Sequence, residues 1–323
     1  MQQSINQENQ NLHHLIESLI SKAVGSQEQP RYQSAGGWWK AQSETDDAKP
    51  VSQQIVHLAF NAPNFSCAFV TAYQFALRTM FPVLPKGANL ACLCVSEKNG
   101  NSPKAIESSS KNQKIHGEKT FVTCANSIDT LLIIINDQDL PIIDTQNKAL
   151  RLVQINNVQA IKNPSLSLSL SPYNKDKFLP DIEKGNLLLN DFPMKDAIYW
   201  EGDAHQRYSK PFSVLEGLCI RLAMCAHLLK WASVYQWPTV LRADLILQIS
   251  ALANALDCSP QSATTQIIID SQNRLMEGLI KQIDTISVSN SLFNEHWQRD
   301  KICLYMDFRL RSQRLENAWQ TLE

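Results

Sequence analysis

Apolar residues recur at helical spacing at both ends of the chain and at strand spacing, or without interruption, in its middle. Leu12, Leu15, Ile16, Leu19 and Ile20 mark a first helix over about Asn9 to Ala23. A polar stretch from Gly25 to Lys49 follows, then helices near Val51 to Phe60 and Phe65 to Phe81. Between those two, Asn61-Ala62-Pro63-Asn64 breaks the chain, and Asn64 is placed to cap the second. After Pro82 and Pro85 the pattern changes to strands. Leu90 to Val95, Thr120 to Thr123, Leu131 to Ile135, Arg151 to Ile155 and Asn186 to Asn190 all read as extended. Ile115 to Lys119 reads as a turn between such runs. Ser165 to Ser171, SLSLSLS, alternates strictly and predicts a strand buried on its Leu face.

From Asp203 onward the helical period returns. Four long amphipathic helices fit: His205 to Tyr235, Thr239 to Leu256, Pro260 to Ile286 and Asn294 to Leu322. Stripes support them: Leu241, Leu245, Ile249, Leu252 and Leu256 in the second, Leu275, Leu279 and Ile283 in the third. In the last, the stripe is Trp297, Leu304, Phe308, Leu315 and Ala318. The expected fold is therefore α+β and multi-domain. An N-terminal helical region (1–87) precedes a small antiparallel β-barrel or sheet (88–202), and a C-terminal four-helix bundle (203–323) follows.

Composition narrows the function classes. With 323 residues the chain is too long for one small core. Thirty basic and 31 acidic side chains nearly cancel, so no broad positive field favours nucleic acid. The N-terminal segment lacks a basic and apolar leader, and Leu215 to Leu229 is short and interrupted by Glu216, Arg221 and His227. No secretory signal and no membrane span are expected, which makes the cytoplasm the default location. Eight cysteines are scattered among apolar neighbours without a C-x-x-C pair, so reduced, mostly buried thiols and no metal site are expected. The histidines form no metal-ligand spacing, and no P-loop, G-x-S-x-G or H-E-x-x-H string occurs.

Two segments carry a family resemblance. Lys114 to Thr123, KIHGEKTFVT, resembles the middle-domain hairpin of acyl-CoA dehydrogenases, roughly NGxKxWIT. Ser127-Ile128-Asp129-Thr130 and the run Leu131 to Ile135 stand where that family has an Ala-Asp-like pair and an apolar strand. Val95 to Pro103, VSEKNGNSP, is similar to the family's TEPxxGSD segment: Ser96, Glu97 and Ser102 agree, while Asn101 and Pro103 replace Gly and Asp. Gly36-Gly37, Asp191-Phe192-Pro193, Arg221 and Trp297-Gln298-Arg299-Asp300, with Arg311 and Arg314, extend the likeness along the chain.

The resemblance implies FAD chemistry on an acyl thioester, CoA-bound or carrier-linked: a carboxylate removes the α-proton while hydride leaves the β-carbon. It implies cofactor contacts from Ser96, Glu97, Ser102, Phe121, Val122 and Thr123, with Thr123 at the flavin edge and Ser96 on its pyrimidine side. It also implies a homo-oligomer. Two family features are absent. Ile220 occupies the position where one branch carries its catalytic Glu, and Met276-Glu277-Gly278-Leu279 is the nearest string to the loop that supplies it in the other. Glu216, one helical turn before Ile220, is the remaining candidate base. Gly202, Gly217 and Gly278 are isolated, so the Gly-rich loop that approaches the FAD pyrophosphate has no counterpart. Two other readings stay open: a flavin-free family member acting as a binding or assembly subunit, and a flavin-dependent monooxygenase of the same fold.

Overall fold

The computed structural model describes residues 2–23, 32–42, 49–138, 149–160, 164–170, 178–259, 262–305 and 311–322. Pro260, Phe308 and Ser171, each assigned above to a helix or strand, lie outside these. The chain divides into two compact units. One comprises residues 1–31, 45–79 and 213–323, and the other residues 32–44 and 80–212.

The first unit is helical. Its elements are α1 (Gln2–Ala23), α3 (Val51–Asn61), α4 (Phe65–Met80), α5 (Lys210–Val234, from residue 213 on), α6 (Thr239–Leu256), α7 (Ala263–Ser287), α8 (Ser291–Asp300) and α9 (Arg311–Leu322). Their starts follow capping chemistry: Asn64 Oδ1 accepts the Cys67 N–H at 2.9 Å, Ser262 Oγ that of Thr265 at 3.1 Å and Asn290 Oδ1 that of Phe293 at 3.0 Å. The α6 stripe is buried at Leu241, Leu245, Ile249 and Leu252. In α7 the expected stripe is buried at Leu279 and Ile283 but not at Leu275. Leu275 is half exposed, and Met276 and Ile280 complete the buried face. The expected last helix is interrupted, with a 3-10 turn over Lys301–Tyr305 following α8. That tighter turn swings Leu304 and Cys303 inward, where both are buried.

The helix expected to be too short and charged for a membrane runs further than its apolar core. An 18-residue window within residues 205–234 is long and apolar enough to span, and 83% of it is buried, as in a core helix. Thr239–Leu256 also passes that length and composition test, with 39% buried.

Around α4 and α5 lies an aromatic cluster of Phe65, His227, Trp231, Phe293 and Trp297. His227 is fully buried. Its Nδ1 lies 3.3 Å from the Ala59 carbonyl oxygen, and its Nε2 accepts the Trp231 indole N–H at 3.1 Å. The proton therefore sits on Nδ1, and burial pushes the imidazole pKa down to about 3.

The second unit holds one eight-stranded sheet with α2 (Ala35–Ala41). Strands β1 (Ala91–Cys94), β2 (Ser109–Lys111), β3 (Lys114–Thr123), β4 (Thr130–Asp137), β5 (Leu150–Asn156), β6 (Leu166–Leu170), β7 (Lys184–Pro193) and β8 (Ile198–Trp200) run in the order β6-β7-β3-β2-β4-β5-β8, with β1 also on β4. The sheet is mixed rather than purely antiparallel, because β1 and β2 both pair parallel with β4. Strand β4, TLLIIIND, is buried at every position but Asn136, which suits a strand paired parallel with β1 and β2 and antiparallel with β5. The alternating strand β6 lies at the sheet edge, so its Leu face is only partly covered and Leu170 is 52% exposed. All eight cysteines are free, and Cys258 alone is exposed.

Helix α2 falls within the stretch read as polar. Ser34 Oγ accepts the Gly37 N–H, and both indoles of Trp38 and Trp39 are buried. Lys40 pairs with Asp129 at 3.1 Å, and Asp129 also accepts the Leu90 N–H at 2.9 Å, fixing α2 beside the start of β1.

Candidate functional site

Residues 114–119, read above partly as a turn, belong to one long strand, β3. The turn lies earlier, at Asn112 and Gln113, whose φ angles of 51° and 60° make a two-residue hairpin between β2 and β3. Two register breaks against β7 then shape the strand, between Ile115 and Gly117 and between Lys119 and Val122. At the first break the extra residue is in β7; at the second it is in β3, where it interrupts the two-residue period and hid the strand.

The second break lies at Phe121. Lys119 pairs with Leu187, Val122 with Gly185 and Thr123 with Lys184, so β3 carries one residue more than β7 across this interval. Phe121 sits at the bulge with φ 59°, a left-handed conformation that costs a bulky residue about 1–2 kcal/mol. The consequence is orientation. Phe121 is 66% exposed, whereas Val122 beside it is fully buried. Thr123 is half-buried, and its N–H donates to Cys92 Sγ at 3.3 Å. Opposite, Gly185 leaves no room for a side chain: a Cβ there would stand 2.5 Å from Ala125 Cβ and 2.6 Å from the Ser169 carbonyl oxygen.

Ser96 joins this edge through its backbone, its carbonyl accepting the Thr120 N–H at 2.8 Å. Glu97 is buried and fully engaged. It accepts Lys119 Nζ at 2.6 Å and the N–H groups of Glu107 and Ser108 at 2.7 and 3.1 Å. Burial alone would raise the Glu97 pKa, but Lys119 and these N–H donors hold it below its ordinary value. Burial lowers the Lys119 pKa, opposed by Glu97. Glu97 and Gly100 exchange backbone hydrogen bonds, closing the loop, and Ser102 beyond it is exposed at the start of a 3-10 turn. So Ser96 is hydrogen-bonded beside the end of β3 that carries Phe121, Val122 and Thr123, and Glu97 follows it, buried.

Glu216 lies on α5 in the helical unit, half-buried. Ile220, one turn on, and Arg221 are buried. Gly217 and Gly278 are both interior to helices. A Cβ on Gly278 would meet no other protein atom within 4 Å. Among the described residues no group of three or more His, Cys, Asp or Glu could hold a metal ion.

Reading the sequence missed Lys119. Its signal was parity: Ile115, Gly117 and Lys119 take the inward positions once the segment is seen as a strand.

No family model matches the chain, and no curated protein matches it by sequence. Solved structures do match it. The FAD complex of PigA is 12% identical, with a TM-score of 0.63 over 99% of this chain and 98% of that one. The prolyl acyl carrier protein oxidase AnaB is 13% identical, with a TM-score of 0.60 over 97% and 98%. Butyryl-CoA dehydrogenase from Megasphaera elsdenii is 12% identical, with a TM-score of 0.60 over 98% of each chain.

Proposed function

We propose that this chain, which has the acyl-CoA dehydrogenase fold, is a flavoprotein that oxidises the α,β-bond of an acyl thioester. One observation carries the reading. Phe121 is turned out of its own unit by a left-handed bulge while both flanking inward positions, Lys119 and Val122, are buried. An exposed aromatic held at a conformational cost suits a flat ligand better than it suits the sheet. The FAD bound in PigA makes a flavin the ligand of choice.

The residues fit the ring end of FAD. Phe121 would lie against the isoalloxazine, Thr123 and Ser96 would hydrogen-bond its polar edges, and Val122 would anchor the edge from below. Glu97 serves this edge from beneath, its carboxylate occupied by Lys119 and backbone N–H groups. Ser102 would reach the cofactor from the exposed start of its turn. When bound, FAD supplies the hydride acceptor. The chain's own task is to orient the thioester, exclude water and take the α-proton, for which Glu216 is the candidate carboxylate. The carrier is CoA or an acyl carrier protein, in line with the two thioester-linked names among the similar structures. A homo-oligomer and a cytoplasmic location accompany this reading.

Proton abstraction tests it directly. With FAD present, the protein should exchange the α-protons of a short acyl thioester with deuterated solvent, followed by NMR. Glu216→Gln should lower that rate by about 10²–10⁴-fold. Exchange unaffected by the substitution removes Glu216 from the mechanism.

A second reading is favoured by the placement of Gly217 and Gly278 inside helices, which leaves the pyrophosphate without a glycine cradle. In that reading the fold serves as a flavin-free binding or assembly subunit.

A further inference from the structure

Lys119 and Glu97 make an ion pair sealed from solvent, their side chains 0% and 6% exposed and 2.6 Å apart. Lys119 Nζ also reaches the Val95 carbonyl at 3.4 Å. The Glu97 carboxylate is saturated by Lys119 and two backbone N–H groups. Such a pair is a poor device for stability. Desolvating both charges offsets most of their attraction, and apolar side chains of similar size often do as well or better.

Its position suggests another use. Lys119 is the last residue of β3 in register with β7 before the bulge. Thr120 comes next and donates to the Ser96 carbonyl, and Phe121 follows at positive φ. Glu97 directly follows Ser96. The ion pair thus joins the two segments that carry Ser96 on one side and Phe121 to Thr123 on the other. Apolar contacts tolerate sliding by a fraction of a residue. A charged bond anchored by three backbone groups does not.

We propose that Lys119 and Glu97 are positioning residues: their ion pair locks β3 against segment 95–97, so that the bulge at residues 120 and 121 holds Phe121 outward and keeps Ser96 and Thr123 at a fixed separation. The benefit to a cofactor rests on the flavin reading above; the locking of the bulge does not.

The test compares wild type with the double variant Lys119→Met/Glu97→Leu, which removes both charges and keeps apolar volume. Three quantities are read: the melting temperature without FAD, amide hydrogen exchange across residues 119–124 without FAD, and the FAD dissociation constant. The melting temperature should stay within about 3 °C of wild type. Exchange at Thr120 and Thr123 should quicken about tenfold or more, because their hydrogen bonds lose a fixed frame. The FAD dissociation constant should rise by about tenfold or more through lost pre-organisation. Lys119→Arg, which retains the ion pair, should restore wild-type exchange. If the double variant fails to fold, Lys119→Met/Glu97→Gln gives the same readouts, since it also removes both charges while the amide oxygen still accepts one of the two backbone N–H groups. Unchanged exchange at Thr120 and Thr123 overturns the proposal, as does faster exchange with unaltered FAD affinity. Failure of wild type to bind FAD overturns the flavin reading instead, and the exchange rates still decide whether the ion pair sets the bulge.

Discussion

Gly117 lies so close to Ser108 that a Cβ on it would stand 2.5 Å from the Ser108 Cα. The obstruction is backbone, which no rotamer change relieves. The φ of +139° adds strain for any residue with a side chain. Gly117→Ala should therefore destabilise by about 2–3 kcal/mol, read from the urea unfolding midpoint. Gly278→Ala is the matched control. That glycine is inside α7 with open space around it, so alanine should stabilise by about 0.5–1 kcal/mol. Equal effects at the two positions would contradict the packing described.

Phe121 supplies a prediction in which stability and function move in opposite directions. Phe121→Gly removes the left-handed strain and exposes little new surface, so the flavin-free protein should gain about 1 kcal/mol. FAD affinity should fall at the same time, because the stacking ring is gone. Loss of both stability and affinity would mean that Phe121 packs within its own unit.

His227 sets a pH dependence whose sign is fixed. Its folded pKa of about 3 lies below the unfolded value near 6.5, so the unfolded chain takes up a proton first as pH falls. The contribution is fully present above about pH 6.5 and is lost progressively down to about pH 3, with a slope approaching about 1.4 kcal/mol per pH unit. His227→Gln should flatten that part of the stability curve measured by denaturant unfolding at successive pH values. It should also lower stability at neutral pH, since the Ala59 carbonyl and the Trp231 indole lose well-placed partners.

Asp284 links α7 to the segment after it. Its Oδ1 accepts the Trp297 indole N–H at 2.7 Å and Lys301 Nζ at 2.8 Å. Trp297 is fully buried, so Asp284→Ala strands an indole donor and should cost about 1–3 kcal/mol. Lys301→Ala removes only the partly exposed ion pair and should cost under about 1 kcal/mol. Thermal unfolding of the two variants checks the order, and the reverse order would contradict this account.

Local chemistry made much of the fold legible. The apolar run that became β4, the Asn64 cap and the α6 stripe each depend on residues close in sequence. The missed features depend on distant partners. The parallel pairings of β1 and β2 with β4 leave no local period, and the bulge at Phe121 erases one in β3. Leu275 and Met276 are adjacent apolar residues, and only the packing around α7 decides which faces inward. At the candidate site, the segment Phe121 to Thr123 was legible by resemblance. That Phe121 turns outward through a left-handed φ was not, nor that Glu97 is consumed by a lysine 22 residues away.

Flavin binding beside Phe121 is tested by a visible absorption spectrum taken after incubation with excess FAD and desalting. A retained flavin band at about one FAD per chain is expected, weakened or lost in Phe121→Gly. A protein that desalts colourless and shows no saturable change on titration with FAD would contradict it, and would leave the flavin-free binding subunit as the reading of this fold.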